Sequence, residues 1–104
     1  MSVLEEILRE EYDRSMRLSV LIEEELASLP KGSVRVRSIK GHEYYYLNYR
    51  EGEKVRSDYI SQSEVDDVRQ KIERRKQLKT ALKEQEQMRK QIKRVLGKKV
   101  DISA

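Results

Sequence analysis

The 104-residue chain has no cysteine, no tryptophan and no phenylalanine, and only one proline and one histidine. Without cysteine there is no disulfide and no thiolate metal site, which fits a reducing compartment. The single histidine, His42, has no second histidine to share a metal with. His42-Glu43 opens like a zinc-protease helix motif, but nothing completes it and the segment reads as strand. With 37% apolar and 40% charged residues, and no Phe or Trp, a compact core of ordinary size cannot be built. The apolar residues must be spread along narrow seams, as in helical hairpins and coiled coils, or shared with a second copy. No apolar run approaches the roughly 20 residues of a membrane span. The N-terminus, Met1-Ser2-Val3-Leu4-Glu5-Glu6, is acidic and lacks the basic-then-apolar order of a signal peptide. The chain therefore reads as cytoplasmic, with no membrane association.

What is present in excess is charge, and it is unevenly placed. Residues 1–29 hold eight acids against three bases, residues 30–62 seven bases against four acids, and residues 63–99 thirteen bases against six acids. The net +4 is thus the remainder of an acidic first segment and a basic second half. A basic half is a candidate electrostatic footprint for nucleic acid. Acidic and basic helices packed side by side would account for the same split.

Two helices and three strands follow from the periodicity. The first helix is predicted over 3–29, with Ser2 as N-cap, Glu5 in capping-box position, and Pro30-Lys31-Gly32 ending it. Its apolar line is Leu4, Leu8, Leu18, Ile22, Leu26 and Leu29, flanked by Ile7, Tyr12 and Leu21 and interrupted by Glu11 and Ser15. From Ser33 the period changes to two. Ser33–Ile39, Glu43–Arg50 and Lys54–Ile60 read as three short strands joined by Gly-containing turns, an antiparallel meander over 33–60. The second helix is predicted over 63–96, capped by Ser61 or Ser63 and about 50 Å long. Its apolar stripe is thin and breaks between Glu73 and Gln77; residues 97–104 read as a frayed tail.

The strand registers sort the side chains. A turn at Lys40-Gly41, or a four-residue loop around it, sets Val36 opposite Tyr45 and Val34 opposite Leu47. At the second turn, Glu51 resists positive φ, so a three-residue loop with Gly52 left-handed is expected, which pairs Leu47 with Val55. One face then carries Val34, Val36, Tyr45, Leu47, Tyr49, Val55 and Tyr59, packed on the helices. The other carries Arg35, Arg37, His42, Tyr44, Tyr46, Asn48, Arg50, Lys54 and Arg56.

No catalytic constellation is present. Pro30-Lys31-Gly32-Ser33 is a Gly-poor turn rather than a phosphate cradle, and Glu23-Glu24-Glu25 point apart on their helix. The chain is expected to be non-catalytic, with no cofactor and no metal. The candidate site is the basic-aromatic sheet face: Arg35, Arg37, Tyr44, Tyr46, Arg50, Lys54 and Arg56. Rings can stack on bases or sugars while guanidinium and ammonium groups neutralise phosphates. A two- or three-stranded ribbon also fits the major groove of DNA. The opposing reading is a face covered by the long helix or by a second protomer, with Arg stems packed on rings.

The segments Leu29-Pro30-Lys31-Gly32-Ser33, Lys40-Gly41-His42-Glu43-Tyr44-Tyr45-Tyr46-Leu47, Tyr49-Arg50-Glu51-Gly52, Lys54-Val55, Ser57 and Tyr59-Ile60 resemble a small prokaryotic family of unknown function. Its members, often from mobile or phage-derived regions, carry a Tyr-rich hairpin followed by a charged helix. The resemblance covers about residues 29–82 and implies no activity. Members carry Tyr-Ile-Gly after the third strand, where this chain has Tyr59-Ile60-Ser61. The order strand, strand, strand, helix is also similar to the N-terminal modules of phage integrases and some transposases, which contact DNA; that similarity is at the level of fold alone.

The sequence therefore predicts one α+β domain: a long N-terminal helix, a three-stranded antiparallel meander, and a long C-terminal helix forming an antiparallel coiled-coil-like hairpin with the first. The expected function is a nucleic-acid-binding accessory factor, with DNA favoured over RNA. The alternative is a protein-interaction module, such as a phage- or mobile-element-encoded regulator or inhibitor of a host complex. A homodimer through the long helices is a further expectation.

Overall fold

The computed structural model describes residues 2–97. Helix α1 (Val3–Ser28) is followed by strands β1 (Ser33–Ile39), β2 (His42–Glu51) and β3 (Lys54–Ile60), and then by helix α2 (Val65–Gly97). The order is the expected one, and the boundaries fall within two residues of those read from periodicity. Of the tail expected over 97–104, Gly97 belongs to α2 and the rest lies outside the described residues. The described residues form two compact units: those up to Ala27 with those from Leu78 onward, and Ser28–Gln77.

The first unit is an antiparallel pairing of α1 with the later part of α2. Ser2 caps α1 as anticipated, its Oγ accepting from the Glu5 amide at 3.2 Å. The apolar filling is thin: Ile22, Leu78, Ile92 and Leu96 are buried, while Leu8, Tyr12 and Leu26 are half-buried. Midway along the pairing the seam turns polar. Ser15 and Ser19, small enough to be enclosed, are both buried. Arg89 Nη1 donates to the Ser15 carbonyl (3.2 Å), the Ser15 Oγ (2.9 Å) and the Ser19 Oγ (2.6 Å). The Ser15 hydroxyl in turn donates to Gln85 Oε1 at 2.8 Å. What interrupts the apolar line of α1 is therefore a hydrogen-bonded polar cluster that links the two helices.

The second unit holds the sheet, ordered β1-β2-β3 and antiparallel throughout. The first hairpin has the expected register, Val34 opposite Leu47 and Val36 opposite Tyr45. Lys40 and Gly41 form its two-residue turn with φ of 50° and 82°, the pattern of a type I′ turn. Gly32, just before β1, sits at φ 112°, where a Cβ would lie 2.1 Å from the Asn48 carbonyl oxygen. Only glycine lets the chain enter β1 this close to β2.

The second hairpin corrects the sequence reading. Glu51 pairs with Lys54, so the loop is two residues, Gly52-Glu53, and Leu47 faces Asp58 rather than Val55. Glu51 stays in the strand; only Gly52 takes positive φ, at 63°. Gly at the first central position, followed by a residue of negative φ, is the pattern of a type II′ turn. The register differs from the expected one by three residues. An odd shift exchanges the two faces of β3.

Helix α2 also begins later than expected. The Glu64 amide donates to the Ser61 carbonyl (2.9 Å), closing a turn, and the Val68 amide bonds to Glu64 O at 3.0 Å. Glu64, not Ser61 or Ser63, thus holds the cap position.

The candidate nucleic-acid interface

Alternation from the observed pairings places Val34, Val36, Tyr45, Leu47, Tyr49, Lys54, Arg56, Asp58 and Ile60 on one face of the sheet. The start of α2 lies on this side. Ile60 and Val65 are buried, the Arg69 guanidinium stands 5.7 Å from the centre of the Tyr45 ring, and Val34 shares a cleft with Arg69 and Ile72. Two tyrosines of this face donate to carboxylates, Tyr45 to Glu43 at 3.1 Å and Tyr49 to Asp58. Those hydrogen bonds hold both phenols above the ordinary tyrosine pKa.

The opposite face is open. It carries Arg35, Arg37 and Ile39 from β1, then His42, Tyr44, Tyr46, Asn48 and Arg50 from β2, and Val55, Ser57 and Tyr59 from β3. Of the predicted site residues, the structure brings Arg35, Arg37, Tyr44, Tyr46 and Arg50 together here. Lys54 and Arg56 are a correction: the two-residue turn puts them on the helix-bearing face, where Arg56 Nε pairs with Glu51 Oε2 at 3.1 Å. Val55 and Tyr59, expected in the packed face, are on the open one with 70% and 62% exposure.

Tyr59 is the residue that sequence reasoning missed. Its ring meets Tyr46 edge-on, with centroids 5.9 Å apart and planes at 72°. Arg37 lies on the same Tyr46 ring, Cζ at 5.9 Å from its centre. Ser57 Oγ donates to Asn48 Oδ1 at 2.8 Å beside them. Arg35, Val36, Arg37, Tyr46, Asn48 and Ser57 line a depression of about 450 Å³. The signal for Tyr59 was in the turn: Gly followed by a residue at ease with negative φ suits the two-residue loop.

The carboxylates are sorted to one side, although Lys54 and Arg56 share it. Every carboxylate of the three strands, Glu43, Glu51 and Asp58, is on the helix-bearing face, and the open face has none. Among the described residues, no three His, Asp or Glu side chains gather as a metal site, and no helix is long and apolar enough to cross a membrane.

A family model described as a domain of unknown function, DUF6788, matches residues 2–70. The chain belongs to this family. The DUF6788 match takes in α1 and the whole sheet, so it reaches further toward the N-terminus than the Tyr-rich segment at 29–82 suggested, and it stops within α2. No curated protein and no solved structure is significantly similar to the chain.

Proposed function

We propose that this DUF6788 chain is a non-catalytic nucleic-acid-binding protein that works through the open sheet face, with DNA as its polymer. The observation that carries the reading is the sorting of charge. Three guanidinium groups and three phenol rings share a face without carboxylates, while the strand carboxylates are on the other side. Arg35, Arg37 and Arg50 would neutralise phosphates, and Tyr44, Tyr46 and Tyr59 would offer stacking surfaces to bases or sugars. A three-stranded ribbon suits the DNA major groove, whereas the deep, narrow major groove of RNA duplexes excludes it. Lys54 and Arg56 have no part in this interface. An accessory role in a phage or mobile element is the setting that the resemblance of the Tyr-rich segment suggests.

The test is fluorescence anisotropy with duplex DNA, single-stranded DNA and single-stranded RNA across a salt series. Three phosphate contacts predict that log affinity for duplex falls with log salt at a slope of about −3. Absence of binding at low salt, or a flat salt response, would defeat the proposal. The exposed Ile39 and Val55 on the same face favour a second reading, a protein-docking module. That reading predicts salt-insensitive capture of a protein and no affinity for the three nucleic acids.

A further inference from the structure

Helix α1 carries two seams, of which the described residues fill one. Leu8, Tyr12, Ser15, Ser19, Ile22 and Leu26 are spaced by four and three and are buried or half-buried. Leu4, Ile7, Glu11, Arg14, Leu18 and Leu21 form a second line, spaced three, four, three, four, three. That is the 3.5-residue repeat of a coiled-coil seam. Its four aliphatic members are uncovered: Leu4, Ile7, Leu18 and Leu21 keep 62%, 49%, 42% and 61% exposure. In a chain this poor in apolar residues, four large ones aligned on the outside of one helix need a partner.

We infer that this seam is the interface with a second copy of the chain, the two α1 helices running antiparallel about a two-fold axis between Tyr12 and Asp13. Such an interface requires that residue i meet j and j meet i. About that midpoint Leu4 mirrors Leu21, Ile7 mirrors Leu18, and Glu11 mirrors Arg14. The two apolar layers on each side therefore close on themselves, and the central layer places each Glu11 carboxylate against the partner copy's guanidinium. A parallel pairing would instead stack Glu11 on Glu11 and Arg14 on Arg14. Within one chain these two side chains meet only loosely, at 3.6 Å, with the Arg14 side chain 75% exposed. Glu10 and Arg17, exposed beside the seam and away from the buried one, again bring opposite charges together in the antiparallel arrangement. The same acidic helix is a poor match for an anionic membrane surface. The inference is independent of the nucleic-acid reading.

Light scattering and sedimentation equilibrium on the full chain give the first test, with a dimer mass expected at micromolar concentration. Arg14→Glu, on an exposed side chain, sets acid against acid in the central layer and should weaken the dimer at least tenfold. Adding Glu11→Arg to it restores opposite charges and should restore the dimer. Because the chain has no cysteine, direction can be read by oxidative cross-linking. A mixture of Ile7→Cys and Leu18→Cys chains should link as a mixed dimer, and neither chain alone. A monomer mass up to 200 µM, a dimer indifferent to Arg14→Glu, or cross-linking of Ile7→Cys with itself would each overturn the inference.

Discussion

The two faces of the sheet are built from the same strands and differ in almost every property. The helix-bearing face buries Ile60, half-buries Tyr45, Leu47 and Tyr49, and holds all the strand carboxylates. Its tyrosines are tied down: Tyr45 to Glu43 and the Arg69 guanidinium, Tyr49 to Asp58. The open face has equally large rings, but their neighbours are arginines, small polar groups and the exposed Ile39 and Val55, and no strand carboxylate competes for the guanidinium charge. Tyrosine thus plays two parts in one sheet. On one side its hydroxyl satisfies a carboxylate beside a packed ring; on the other Tyr44 and Tyr59 keep exposed rings, and Tyr46 is half-buried between Arg37 and Tyr59. The difference teaches that ring content alone does not distinguish the two faces; whether carboxylates stand beside the rings does.

The comparison can be broken most severely at Gly32. Gly32→Ala forces a Cβ onto the Asn48 carbonyl at positive φ, and should cost at least about 3 kcal/mol in urea unfolding. It should also separate β1, with Arg35 and Arg37, from Tyr46. A neutral effect would mean that the β1–β2 entry is not as described. Next comes a pair of truncations, one per face. Ile60→Ala should cost about 3 kcal/mol, while Val55→Ala should stay within about 0.5 kcal/mol. The reverse order would restore the three-residue turn and the exchanged face.

The smallest effect is in pH. The Tyr49 phenol is held above 10.0 by its hydrogen bond to Asp58. A raised folded pKa gives stability that is complete below the pKa of unfolded tyrosine and lost as pH rises through the folded value. Wild type should therefore be more stable than Tyr49→Phe at pH 8, and the gap should close above about pH 10. A gap that widens with pH would contradict the Tyr49–Asp58 bond.

Much of this architecture is legible in the sequence because the local signals agree. Pro30 ends α1, period two begins at Ser33, and the first turn centres on Lys40-Gly41 whether it has two residues or four, so the first hairpin and its register follow. The second hairpin was ambiguous for a physical reason: Gly52 can end a three-residue loop or open a two-residue one, and both spare Glu51 from positive φ. Because the choice shifts β3 by an odd number, one turn decided where Lys54, Arg56, Val55 and Tyr59 point. Ser15 looked like a flaw in the apolar line of α1 because its partners, Gln85 and Arg89, lie about 70 positions away, beyond any local pattern.

The central claim is that the open face, not total basic charge, binds nucleic acid. Two double variants of equal charge change decide it, measured by anisotropy on one DNA duplex at one salt concentration. Arg35→Glu with Arg37→Glu reverses the open face, and Lys54→Glu with Arg56→Glu reverses the helix-bearing one. The account predicts a loss of roughly 100-fold or more for the first and under about tenfold for the second. Equal losses, or a larger loss for the second, would contradict it.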